Sequence, residues 1–168
     1  MKKILTLILA VTALSFAASA QDSNNQTASL QAFAREASPA KVAFTISGKG
    51  FDGSNLNALP GTLDFQYPNF RAQAGDNLVL GNDAVIWFYD TKGGEVVIME
   101  SFMNDLMANS RLGRNASGQR TVILKQADGS EVVLTIVSIE KVAEEWAPEH
   151  FVLDEKSLGN DVIVTDIR

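Results

Sequence analysis

VIWFYDTKGGEVVI, Val85 to Ile98, decides how the chain is read. It divides into two short strands around a Gly-containing turn. Side chains alternate across a strand, so Val85, Trp87 and Tyr89 share one face while Ile86 and Phe88 share the other. A hairpin with one wet face should be polar on that face. Here both faces of the first strand are apolar, and each needs a covering partner.

The pattern extends in both directions. In VAFTISGKG, Val42, Phe44 and Ile46 alternate with Ala43, Thr45 and Ser47. In GTLDFQY, Leu63 and Phe65 alternate with Thr62, Asp64 and Gln66. A short strand is expected from Phe70 through Ala74, and Leu78 to Leu80 runs into a Gly81-Asn82-Asp83 turn. RTVILKQ and SEVVLTIVSIEKV flank Ala127-Asp128-Gly129, a good hairpin turn. In the second of these strands Val132, Leu134 and Ile136 fall on one face, with Val133, Val137 and Ile139 on the other. DVIVTDI closes the chain as a further strand. Hairpins at this spacing predict an antiparallel sheet that curls or closes. Gly48 and Gly50, in GKGFDG, mark a bend or bulge in a strand that must curve. No phosphate loop is present there, because the Gly-Lys-Ser/Thr continuation and the following helix are missing.

Two helical stripes interrupt the strands. Ser29 is placed to cap a short helix carrying Leu30, Phe33, Ala34 and Ala37 on one side, stopped by Ser38-Pro39. Met99, Phe102, Met103, Leu106 and Met107 fall at helical spacing, with Arg111 near the end and Gly113 as terminator.

Composition narrows the function classes. MKKILTLILAVTALSFAASA has two lysines, an apolar run and an Ala18-Ser19-Ala20 end, the pattern of a secretory signal cleaved after Ala20. The expected product is a single exported domain, Gln21 to Arg168, and a Gram-negative periplasm fits best. The chain has no cysteine, so neither disulfides nor a lipobox cysteine are expected. Its net charge is −6, and losing Lys2 and Lys3 makes the mature part more acidic. An acidic surface disfavours nucleic acid and anionic lipid headgroups. No later run is long enough for stable membrane insertion.

Catalytic and metal readings find little support. The single histidine, His150, lies in a turn-like Ala147-Pro148-Glu149-His150 beside charged residues, and no nucleophile-elbow motif accompanies it. A solvated histidine is the expected reading. Without cysteine and with one histidine, no metal set is expected, and no cofactor motif appears. The pairs Glu144-Glu145 and Asp154-Glu155 would point to opposite faces of a strand and so not act as an acid/base pair. What remains is surplus apolar surface. Periodicity leaves two readings open: a sheet covered on both faces as ordinary core, or one face packed and the other lining a cavity. The methionine stripe favours the cavity, because flexible, polarizable Met suits surfaces that accept varied apolar ligands.

At this point the residues resemble a known family. GTLDFQYPNF, NLVLGNDAVIWFYD and EVVI are similar, in order and spacing, to the LolA family of periplasmic lipoprotein carriers. Pro68-Asn69-Phe70 matches the family's bend, Gly81-Asn82-Asp83 its turn, and Trp87, Phe88 and Tyr89 its aromatic strand. Phe151-Val152-Leu153-Asp154 and Val162 to Arg168 resemble its ending. The short carriers of Bacteroidetes-type bacteria are the nearest in pattern. The resemblance implies a mainly β, α+β fold: a strongly curved antiparallel half-open barrel with an N-terminal helix and a short lid helix. It implies a non-enzymatic, monomeric carrier or chaperone for acylated lipoproteins. Such a carrier loads from an inner-membrane lipoprotein-releasing ABC transporter and delivers to an outer-membrane acceptor that the sequence does not name. A lipid-binding or lipid-sensing module of the same fold is the alternative. The expected acyl-lining residues are Phe44, Ile46, Leu63, Phe65, Phe70, Leu78, Leu80, Ile86 and Phe88. Met103, Leu106 and Met107 are the expected cover. Two departures stand out. Tyr67 occupies the position before the bend proline where the proteobacterial carriers place a basic residue, with Arg71 nearby, and the stretch Met99 to Arg120 is shorter than usual.

Overall fold

The computed structural model of the protein describes residues 35–49, 53–102, 110–126 and 128–168. They form ten strands: β1 (Ala40–Lys49), β2 (Asn55–Gln66), β3 (Asn69–Ala74), β4 (Asn77–Gly81), β5 (Val85–Asp90), β6 (Glu95–Glu100), β7 (Ser110–Arg114), β8 (Arg120–Lys125), β9 (Glu131–Lys141) and β10 (Ile163–Asp166). All ten belong to one sheet in the order β10-β6-β5-β4-β3-β2-β1-β9-β8-β7. The two ends of that order do not pair, so the sheet is not closed. Neighbours are antiparallel except β10 with β6, which is parallel. The fold is therefore mainly β, as the hairpin spacing predicts.

The β5–β6 hairpin forms as its sequence suggests. Asp90 holds the turn: its Oδ1 accepts from the backbone N–H of Lys92 at 3.0 Å and of Gly93 at 2.7 Å. Gly94 takes a positive φ of 67°, open to glycine at little cost. β2 begins earlier than its alternation suggests and contains Pro60. A proline removes a ladder donor. It is tolerated here because β3 pairs with β2 only from Gly61 onward, leaving this part of β2 with β1 as its one neighbour.

Three sequence expectations are corrected. The methionine stripe does not begin a helix at Met99, because β6 continues through Glu100 and Met99 sits opposite Ile86 in its ladder. Arg111 and Gly113 are not a helix end but lie on β7, paired with β8. Strand pairing along an existing edge outweighs the helical spacing of these residues. Third, Ile139 does not share a face with Val133 and Val137. The β1–β9 register shifts between Ala43 and Phe44, so Phe44 pairs with Ile136, Ala43 with Ser138 and Val42 with Ile139. Val137 is the extra residue of a bulge, and every side chain beyond it changes face. Residues 35–37 are helical. The remainder of the expected N-terminal helix, the signal segment, Gly50, and Met103, Leu106 and Met107 lie outside the described residues. No helix among the described residues is long and apolar enough to cross a membrane.

Candidate functional site: two faces of one sheet

Directly opposed residues of neighbouring strands point to the same face. Following one such row across the sheet gives Ile139, Val42, Leu63, Ala72, Val79, Phe88 and Val97, from β9 through β6. A parallel row gives Leu59, Ile46, Leu134, Val122 and Leu112. These residues belong to a single large apolar cluster, apart from Ile139 at its margin. We call this side the large-cluster face.

Of the residues expected to line an acyl hollow, Phe44, Ile46, Leu63, Phe65, Phe70, Ile86 and Phe88 share this face, and each is at most 3% exposed. Leu78 and Leu80 do not. They belong to a second cluster with Trp87, Val96 and Ile98. The reason is register: Leu80 pairs with Trp87 and Leu78 with Tyr89, whereas Val79 pairs with Phe88. The sequence reading placed Leu78 and Leu80 with Ile86, and Val79 is the residue it missed. The turn at Gly81-Asn82-Asp83 sets this parity, and strand alternation does not carry across a turn.

Two glycines make room for the rings. Gly61 lies opposite Phe44, and a Cβ there would fall 2.4 Å from the Phe44 ring. Gly81 lies opposite Phe70, with the corresponding approach at 2.6 Å. Each phenyl ring therefore lies over bare backbone, which lets large side chains pack at close range. At Gly48, with φ of 114°, a Cβ would meet the Glu131 carbonyl oxygen at 2.2 Å. The β1–β2 register also shifts between Ile46 and Gly48. Gly48 thus marks the irregularity in β1 expected from GKGFDG.

The other side is the strap face. Near β2 and β3 it is polar, with Asp64, Gln66 and Arg71; near β4 to β6 it is apolar. The segment from Val142 to Val162, here the strap, crosses both halves and leads into β10. Its first part is docked by polar contacts. The Trp146 backbone N–H donates to Gln66 Oε1 at 2.7 Å, and Gln66 Nε2 donates to the Trp146 carbonyl at 3.2 Å. His150 Nε2 lies 2.8 Å from Asp64 Oδ2. The Trp146 ring stacks on the imidazole at 5.5 Å, and Phe151 meets both rings edge-on. The next part is apolar: Leu153, Leu158 and Val162 pack on the second cluster. Thus the strap covers the second face of the hairpin at Val85 to Ile98.

His150 is therefore not simply solvated. Its side chain is 30% exposed and shares a hydrogen bond with a carboxylate that is 24% exposed. Histidine and aspartate are separated by 86 positions, which is why the pairing left no local signal in the sequence. No group of three or more His, Cys, Asp or Glu suited to a metal ion occurs among the described residues. At the chain end, hydrogen bonds from the Arg168 guanidinium hold the Asp166 carboxyl down at about 2.

No family model matches the chain, and no curated protein matches it. Among solved structures, an uncharacterized conserved protein from Thermus thermophilus is similar at a TM-score of 0.45 and 12% identity. The match covers 79% of this chain and 94% of that one.

Proposed function

We propose that the protein is a LolA-like carrier that shields the acyl chains of lipoproteins on the large-cluster face and moves them between membranes of a Gram-negative envelope. One observation carries the reading. The apolar cluster on one face of an open sheet draws side chains from every strand but β10. Exposed methylene groups cost about 0.8 kcal/mol each in water, so a soluble acyl carrier needs broad apolar area more than specific polar contacts. The curved half-barrel, with an N-terminal helix and a lid over the hollow, belongs to this proposal. The bulges in the β1 pairings and the glycine at position 48 support the curvature.

The near-complete burial of Phe44, Phe70, Ile86 and Phe88 implies that loading requires these side chains to part. The same burial favours a second reading, in which the cluster is plain core and any lipid binds elsewhere. The two readings differ in one assay. Added to spheroplasts that display newly made lipoproteins, the mature protein is expected to release them in soluble form. Met99 is half-buried at the margin of the cluster, and Met99→Glu is expected to abolish release while the protein still folds. Absence of release by the unaltered protein would overturn the carrier reading.

A further inference from the structure

We infer that the C-terminal segment, residues 142–168, is a clasp that opens as a unit while the rest of the sheet stays folded, with Asp64–His150 as its catch. Several independent features point to this. The segment leaves the sheet at Lys141, and its one strand, β10, is an edge strand that pairs with β6 alone among the described residues. Lifting it therefore breaks a single ladder and separates no other pair of strands. Its anchorage is divided into three separate parts. The first is the polar docking at Gln66 and Asp64, helped by a long 3.5 Å contact from Arg71 Nη1 to the His150 carbonyl. The second is apolar packing, of the fully buried Phe151 ring and of half-buried Leu153, Leu158 and Val162. The third is a four-residue parallel ladder between β10 and β6.

Beneath the clasp lies Trp87, 7% exposed, whose indole Nε1 has no hydrogen-bond partner among the described residues. Opening brings that N–H to water. The clasp's outer residues add little to hold it shut: Ile163 is 64% exposed, Val164 44% and Ile167 59%. By contrast β1 pairs along nearly its whole length on both sides, with β2 and β9, and its inward residues are buried. Opening bares the apolar half of the strap face and the backbone edge of β6, a surface onto which another strand could add. The charged groups around the catch are Asp64 from β2 and its cross-strand neighbours on the same face, Lys41 from β1 and Arg71 from β3.

The test is amide hydrogen exchange of the full mature chain under conditions where exchange reports opening equilibria. Amides of residues 152–167 are expected to exchange faster than those of β1 and β9. Asp64→Asn is expected to accelerate the clasp about tenfold, the size of one lost hydrogen bond to a charged group, with β1 and β9 changed less than about twofold. His150→Gln should do the same from the other side, which keeps the test valid should either variant fold poorly. Cysteines at Val96 and Val164, direct ladder partners in a chain without native cysteine, should on oxidation slow the clasp to the rate of β1. Uniform acceleration of all strands by both variants, or a clasp that already exchanges at the rate of β1, would overturn the inference.

Discussion

The two faces of the sheet bury their apolar residues by different means. On the large-cluster face, rows of side chains run unbroken from strand to strand, and glycines at 61 and 81 let aromatic rings lie flat on the backbone. On the strap face, the C-terminal segment covers a five-residue cluster, held by polar contacts at one end and a short parallel ladder at the other. The difference separates a continuous apolar layer from a cover that is held at separate points. On the proposed reading the apolar layer receives the cargo. A cover with divided anchorage is suited to opening.

The largest expected effect lies on the first face. Phe70→Ala removes a fully buried ring over Gly81 and should cost about 3–5 kcal/mol in chemical denaturation. A cost below about 1 kcal/mol would mean that this face is loosely packed. Overpacking the same pair tests it from the opposite side. Gly81→Val places side-chain atoms where the Phe70 ring lies and should cost about 1–3 kcal/mol; combined with Phe70→Ala, the penalty should shrink, because the void accepts the new side chain. On the strap face the effects should be smaller. Leu153→Ala truncates a half-buried contact, and a loss of about 1 kcal/mol is expected, seen first as faster exchange of the clasp.

The smallest effect concerns the chain end. Asp166 is held at about 2 by Arg168, so its folded-state value is depressed below the unfolded one near 4. A depressed carboxylate contributes stability that is present above the unfolded value and lost as pH falls through the folded one. Arg168→Ala should therefore melt slightly below the unaltered protein above pH ~4 and converge with it near pH ~2. Both side chains are exposed, so the gap should shrink further in high salt. An equal gap across the whole range would assign Arg168 a different role.

Much of the fold was legible in period-two alternation. The hairpin at Val85 to Ile98, the inward parity of Phe44, Ile46, Leu63 and Phe65, and the turn near Gly129 all follow from it. Three things did not. Val79 and Leu80 are both fully buried, so nothing local told which face each takes; the pairing with Phe88 and Trp87 decides. The bulge at Val137 reverses Ile139 without a glycine or proline to announce it. The methionine stripe begins with residues that read equally well as strand, and the available edge of β5 claimed Met99. Of the clasp, DVIVTDI read as the strand that forms β10, but the docking of the segment before it was invisible for a different reason. Its apolar residues Leu153, Leu158 and Val162 have no strand or helix period, and its catch joins residues far apart in the chain. The answer to the doubly apolar hairpin therefore came from the C-terminal segment.

The carrier reading is tested most directly by native mass spectrometry of the protein isolated from the cells that make it. The account predicts one triacylated lipoprotein bound per chain, lost when Met99 is replaced by Glu. A chain that carries no lipoprotein, or only free lipid, would contradict it.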